Sequence, residues 1–158
     1  MRLHEINESK GSYAAVKFDA DTIKALAEYQ AHNNIPAPLD KDEFHATVMF
    51  STKYCPAFEA LGEGLDWSGE FTDFDIFPSD EDNALVLKFS CPELEQRFAD
   101  IMQTHDASWD YDDYLPHVTL SYNVQDLDHT ALPAYTGPII IVSEYGTDLE
   151  LDWAADHK

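Results

Sequence analysis

The sequence has little of several features that would point to particular protein classes. Its two cysteines, Cys55 and Cys91, are too few for a disulfide framework and have no metal-ligand spacing. No uninterrupted apolar run approaches the roughly 20 residues that a membrane-spanning helix needs. The polar stretch from Met1 to Lys10 lacks the pattern of a signal peptide. We therefore expect a protein of a reducing cytoplasm that does not interact with a membrane.

Basic residues are also scarce. Nine Lys and Arg stand against 31 Asp and Glu, which gives a formal net charge of −22. Because affinity for long nucleic acids comes mainly from Lys and Arg on phosphates, this balance argues against a polymeric DNA or RNA partner. Two interpretations stay open: the charge serves solubility alone, or the protein holds a small ligand in a local site.

What the sequence does contain is enough apolar material for one folded domain. The chain has 158 residues, of which 44% are hydrophobic and 13% aromatic. Tyr13 to Phe18 reads as a strand, and Asp19 or Asp21 can cap the helix that follows. Prolines 36 and 38 end that segment, and a strand around His45 comes next.

The second half repeats this order. Ala84 to Phe89 reads as a strand, and Ser90 to Glu93 predicts a capping box with a proline in the first helical turn. An apolar helical stripe and a loop rich in Asp and Tyr lead to a strand around His117. The sequence thus predicts a single domain, 1–158, with duplicated strand–helix–strand units at about 13–50 and 84–123.

Further strands complete an α+β fold. Residues 71–77 alternate between apolar and polar side chains, and 138–143 form an apolar run rich in β-branched residues. Residues 149–153 alternate again, and Tyr145-Gly146-Thr147-Asp148 between these runs predicts a hairpin turn. Several strands with two helices are typical of an α+β domain.

Each repeated unit closes on the same motif, a histidine followed two residues later by a threonine. The motifs are Phe44-His45-Ala46-Thr47-Val48 and Pro116-His117-Val118-Thr119-Leu120. Side chains two positions apart on a strand point to the same face, so neighbouring strands would bring together two imidazoles and two hydroxyls. Of the six histidines that have a residue two positions later, only these two precede a threonine in this way.

This combination suits phosphate chemistry. Imidazole titrates near neutrality, so one histidine can take a proton from a nucleophile while the other protonates the leaving oxygen. The threonine hydroxyls can donate to the non-bridging oxygens, and no metal is required. The alternative is two histidines with structural hydrogen bonds on a sheet face. Lys17 and Lys88 occupy matching positions in the two units and can neutralise phosphate, although lysines are common on exposed strand faces.

The paired motifs resemble those of the two-histidine phosphoesterase superfamily. The residues at 104–124 around His117, those at 144–154 and those at 11–18 are similar to the phage anti-CBASS phosphodiesterase branch. The resemblance implies two pseudo-symmetric lobes whose antiparallel sheets line a central cleft, with two main helices packed outside. It also implies an enzyme of the infected host's cytoplasm that cleaves 3′–5′ bonds of cyclic di- and trinucleotide messengers such as 3′,3′-cGAMP.

In that family the substrate's 2′-hydroxyl attacks the adjacent phosphodiester without a metal or other cofactor. Carried over by motif, His45 and His117 are the acid–base pair and Thr47 and Thr119 the phosphate clamps, with the acid and base roles left open. The resemblance makes Tyr13 and Trp153 candidates for base stacking. Where the family has an acidic residue before the last strand this sequence has Thr147, which leaves base preference open.

Two other functions compete with this interpretation. One keeps the chemistry and changes the substrate, as in an enzyme that processes 2′,3′-cyclic or 2′–5′-linked RNA ends. The other is a non-catalytic acidic protein that sequesters a nucleotide or mimics DNA through its charge. Recovery of the ligand intact would identify the second, and product analysis on RNA ends would identify the first.

Overall fold

The two halves of the chain build two antiparallel sheets and two helices. The computed structural model describes residues 10–78, 83–109 and 113–150, so Trp153 lies outside the described residues. The elements in chain order are β1 (Lys10–Phe18), α1 (Ala20–His32), β2 (Ala46–Ser51), β3 (Gly62–Ser68), β4 (Glu70–Pro78), β5 (Asn83–Ser90), α2 (Pro92–His105), β6 (His117–Ser121) and β7 (Ile140–Glu150). The predicted α+β fold is confirmed. Neither helix in this part of the chain is long and apolar enough to cross a membrane.

One sheet has the strand order β2-β1-β7-β3 and the other has the order β4-β5-β6. In each half, the strand after the helix pairs antiparallel with the strand before it, β1 with β2 and β5 with β6. This leaves β2 and β6, the two strands that carry the His-x-Thr motifs, at sheet edges, and the two strands contact each other.

Local sequence explains where the helices begin. Asp19 caps α1, since its carboxylate accepts the N–H of Thr22 at 2.8 Å, as predicted. Pro92 is in the first turn of α2, but the predicted capping box is wrong in its partner. Cys91, not Ser90, occupies the capping position, and its side chain has no oxygen that could accept an N–H of the helix. The carboxylate of Glu95, one turn further on, accepts the N–H of Cys91 at 3.0 Å.

The predicted hairpin turn at Tyr145–Asp148 is also wrong. These residues lie inside β7, which runs unbroken from Ile140 to Glu150 and pairs along the whole of β1. The ladder of hydrogen bonds to β1 keeps Gly146 extended, opposite Ala14, where the aromatic ring of Phe58 covers it. Strand β3 was not predicted, because its sequence combines glycine with acidic residues and resembles a loop.

The two sheets are joined next to the site by polar contacts from the segment that precedes β2. The buried amide of Gln30 donates to the carbonyls of Leu39 at 3.2 Å and Leu120 at 2.8 Å. The N–H of Leu39 donates to Leu120 as well, at 3.0 Å, and the hydroxyl of Ser121 donates to the carbonyl of Pro36 at 2.6 Å. The start of β2 is thereby fixed relative to β6.

Candidate active site

Strand alternation presents both motifs on the partly open face of the sheets. Ala46 and Val48 are fully buried, whereas His45 and Thr47 are partly exposed. Val118 and Leu120 are buried in the same way on β6, with His117 and Thr119 partly exposed between them. The apolar residues therefore anchor each strand in the core, and the histidine and threonine side chains of each motif point away from it.

Both histidines are held in the same tautomer. His45 Nδ1 lies 2.8 Å from the carbonyl oxygen of Glu43, and His117 Nδ1 lies 2.8 Å from that of Leu115. A carbonyl oxygen only accepts, so Nδ1 must carry the hydrogen in each neutral ring. That leaves Nε2 of both imidazoles as the atom free to exchange a proton. The two motifs thus share the same hydrogen bond to the backbone as well as the same sequence pattern.

The environment of His117 favours its neutral form. Burial lowers the pKa of His117 below the ordinary value for histidine. The hydrogen bond to the Leu115 carbonyl acts in the opposite direction but does not outweigh burial. Positive charge on His45 and on Lys88 lowers the pKa of His117 further. The ring of Phe77 packs edge-on against His117, with 5.0 Å between centroids, and keeps water from one side of it.

The hydroxyl and the carbonyl of Thr47 are both held by tyrosines. The hydroxyl oxygens of Tyr13 and Thr47 are 3.0 Å apart, and the hydroxyl of Tyr114 donates to the Thr47 carbonyl at 2.6 Å. Burial raises the pKa of Tyr13 and of Tyr114 far above the ordinary value for tyrosine, so both phenols keep their protons. Tyr13 can therefore donate to Thr47, which leaves the threonine hydrogen available to a ligand.

Tyr13 is one of the two aromatic residues that the sequence nominated for base stacking. Its ring packs edge-on against Phe50 at 6.2 Å and lies tilted against Tyr145 at 6.3 Å. In this cluster the exposed ring is that of Phe50, 38% accessible. The sequence feature that could have pointed to Phe50 as a ring open to a ligand is its place as an aromatic residue near the end of the His45 strand.

Sequence reasoning missed other residues that touch the motifs. Phe77 lies at the end of β4, far from His117 in sequence, and only the β4–β5–β6 order brings the two rings together. Tyr145, which falls in the predicted turn, contacts Tyr13 rather than a motif residue. Among the remaining histidines, His105 packs its ring against Phe58, 5.6 Å away, at the end of α2.

In the described part of the chain no group of three or more His, Cys, Asp or Glu is arranged to hold a metal ion.

The architecture defines a class of protein. The chain is similar in fold to Escherichia coli LigT solved in complex with 3′-AMP, with a TM-score of 0.57, 12% sequence identity, and coverage of 87% of this chain and 86% of LigT. Two antiparallel sheets whose neighbouring strands carry paired His-x-Thr motifs make this a two-histidine phosphoesterase fold.

Sequence comparison identifies the family within that class. The family model described as "Anti-CBASS protein Acb1" matches residues 10–156. The protein of that name from Vibrio phage KVP40 is 34% identical over 168 residues, covering 99% of each chain. The one from Enterobacteria phage T4 is 32% identical over 151 residues, covering 95% of each. The chain belongs to the anti-CBASS protein Acb1 family.

Proposed function

We propose that this protein is a phosphodiesterase that opens cyclic di- and trinucleotide messengers by acid–base catalysis between His45 and His117. The observation that carries the proposal is the matched pair of histidines. Each has Nδ1 bound to the carbonyl two residues earlier, and the two lie at the start of contacting edge strands, His45 directly before β2 and His117 as the first residue of β6. In each motif the histidine and the threonine are partly exposed and alternate with buried residues, which supports a shared role for the four side chains.

The reaction uses a nucleophile that the substrate brings with it. The 2′-hydroxyl oxygen attacks the adjacent phosphorus while one imidazole takes its proton. The bond from phosphorus to the 5′-oxygen breaks, and the other imidazole, protonated at the start, gives that oxygen its proton. The products are a 5′-hydroxyl and a 2′,3′-cyclic phosphate end, which is open to further hydrolysis. The protein supplies geometry, proton transfer and charge stabilisation.

We assign the base role to His117 and the acid role to His45. A base must be neutral at the start of the reaction, and the lowered pKa of His117 ensures that its imidazole is neutral near pH 7. In the described residues, no carboxylate is hydrogen-bonded to the His117 ring. None therefore stabilises the protonated form of this imidazole. The proton is therefore readily released after each turnover.

Thr47 and Thr119 are proposed to bind the non-bridging oxygens of the same phosphate. Charge develops on these oxygens in the transition state, where hydroxyl donors fixed in place lower the barrier. Tyr13 supports this role of Thr47, since its phenol keeps its proton and can donate to the Thr47 hydroxyl oxygen, which leaves the threonine hydrogen for the substrate. A small cyclic substrate also fits a protein of net charge −22, because it needs cations only locally.

The family to which the chain belongs gives this chemistry its biological setting. Anti-CBASS proteins counter a bacterial defence, and the relatives from Vibrio phage KVP40 and Enterobacteria phage T4 are phage proteins. We therefore place the reaction in the cytoplasm of the infected host. There, cleavage of the messenger would prevent activation of the defence effector.

The test of the proposed function is product analysis on a panel of cyclic di- and trinucleotides, with 2′,3′-cyclic-ended RNA in parallel and excess chelator in one arm. We expect multiple turnovers to linear products with cyclic phosphate ends, undiminished by the chelator. Intact recovery of every cyclic nucleotide would support sequestration instead. Turnover of RNA ends alone would support an end-processing enzyme, and loss of activity with chelator would contradict the metal-free scheme.

The pH dependence of kcat/KM tests the assignment of His117 as base. Activity should fall on the acid side as His117 becomes protonated, with a midpoint below 6.5, because its pKa is lowered. In Lys88→Gln the repulsion from the ammonium is gone and Asp73 and Asp75 are no longer neutralised, so the pKa of His117 should rise. We expect the acid limb to move to higher pH by at least about half a unit.

The control for the pH profile is Lys24→Gln, which removes the same charge from an exposed position on α1. Its acid limb should coincide with that of the unmodified protein. An acid limb that stays in place in Lys88→Gln, or moves to lower pH, would contradict the base role of His117.

A further inference from the structure

The two lysines at matching positions of the repeat have different surroundings. Lys88 pairs across the β5–β6 ladder with His117, and Lys17 follows Val16, which pairs with Ala46, so Lys17 lies beside His45. The two residues are thus equivalent in position. Their neighbours on the third strand of each sheet decide how much of the positive charge remains available.

Lys88 is neutralised by carboxylates. Its ammonium lies 3.3 Å from Asp73 and 3.4 Å from Asp75, both on β4. In the other sheet, β7 has the place that β4 has here. Ser143 pairs with Lys17 as Asp73 pairs with Lys88, and Tyr145 pairs with Ala15 as Asp75 pairs with Val86. Neither Ser143 nor Tyr145 carries a charge.

Lys17 is therefore an exposed cation without an acidic partner. No carboxylate of the described residues forms an ion pair with it, whereas Lys10, Lys53, Lys88 and Arg97 all have one. The Lys17 ammonium lies over the ring of Tyr145, 5.2 Å from its centroid. Lys24 and Lys41 form no ion pair in the described residues either, but they lie outside β1, whereas Lys17 is on the face of β1 that adjoins the His45 motif.

The direction of the Lys17 side chain separates its ammonium from the two histidines. Tyr145 is on β7, and in the order β2-β1-β7-β3 this strand lies on the side of β1 away from His45 and Thr47. The backbones of β7 and β2 are about two strand spacings, or roughly 10 Å, apart. A run of contacts spans this distance, from Thr47 to Tyr13 and from Tyr13 to Tyr145.

We propose that Lys17, held over Tyr145, binds the second, uncleaved phosphate of the cyclic substrate. The inference rests on the proposed function, because it takes the scissile phosphate to be at the His-x-Thr pair. A cyclic dinucleotide carries its two phosphates on opposite sides of the ring. With one at the histidines, the other extends over β1 towards β7. Lys17 is then a residue that selects substrates with two phosphodiesters over those with one.

Binding of uncleavable analogues tests this directly. The probes are a 2′-deoxy cyclic dinucleotide, which lacks the nucleophile, and the linear 2′-deoxy dinucleoside monophosphate with the same bases, which has a single phosphate. Lys17→Gln should weaken binding of the cyclic probe by about tenfold or more, the effect expected for one charge-assisted hydrogen bond. It should change binding of the linear probe by less than about twofold and leave kcat on the cleavable substrate nearly unchanged while KM rises.

Lys24→Gln is the matched control and should bind both probes as the unmodified protein does. Equal loss of both probes in Lys17→Gln would overturn the inference, since the lysine would then act on the scissile phosphate. Unchanged binding of both would overturn it as well, while cleavage by the unmodified protein would leave the proposed function standing. Absence of both cleavage and binding in the unmodified protein would overturn the two proposals together.

Discussion

Replacing either motif histidine with alanine should reduce the rate of cyclic dinucleotide cleavage by at least about 100-fold, without loss of the fold. His45→Ala removes the proton donor for the leaving 5′-oxygen, and His117→Ala removes the acceptor for the 2′-hydroxyl proton. Both side chains are partly exposed and make a single hydrogen bond to a nearby carbonyl, so their removal opens no core cavity. Cleavage rates and thermal unfolding together measure the two effects.

The matched control is His32→Ala, an exposed histidine in the last turn of α1. We expect its cleavage rate to stay within about twofold of the unmodified protein. The double variant His45→Ala/His117→Ala should lose less than the product of the two single losses, because the imidazoles act as one unit. Near-normal turnover in both single variants would end the acid–base account.

Replacing Arg97 with alanine should destabilise the protein by about 3–5 kcal/mol. Arg97 reaches from α2 to β7 and donates to both carboxylate oxygens of Glu144, at 2.9 and 2.7 Å. The side chain of Glu144 is fully buried, and its remaining partner is the N–H of Leu61 at 2.9 Å. Without Arg97 a carboxylate is left in the interior with no counter-charge. Urea unfolding monitored by fluorescence measures the loss.

Two variants define what the Arg97 result means. Lys53→Ala breaks an exposed ion pair with Asp106 and should cost less than about 1 kcal/mol. Replacing the buried pair together, as Arg97→Met with Glu144→Leu, should recover most of the stability, because no charge then remains buried. A loss below about 1 kcal/mol in Arg97→Ala would show that water reaches Glu144. Since this pair ties α2 to the sheet that contains the His45 strand, Arg97→Ala should also slow cleavage.

The sequence was informative wherever a pattern was local. Strand alternation located β1, β5 and the two motif strands, and Asp19 marked the start of α1. The His-x-Thr pair was found because a two-residue spacing on a strand has a direct geometric meaning. The family followed from the residues around His117 and the end of the chain.

The errors arose where long-range pairing overrides local preference. Tyr145 to Asp148 has a turn-like sequence, yet the ladder to β1 holds it in β7. The contacts of Phe77 with His117 and of Lys17 with Tyr145 depend on strand order, which no short pattern encodes. The different states of Lys17 and Lys88 likewise depend on which residues the third strand places beside them.

The most direct test of the central claim, that two imidazoles do opposite jobs on one phosphate, uses a cyclic dinucleotide with sulfur in place of the bridging 5′-oxygen. A thiolate leaves without a proton, so this substrate needs the base but not the acid. We expect His45→Ala to cleave it within about tenfold of the unmodified protein, while His117→Ala stays at least about 100-fold slower. Equal defects of the two variants on the sulfur substrate would contradict the account.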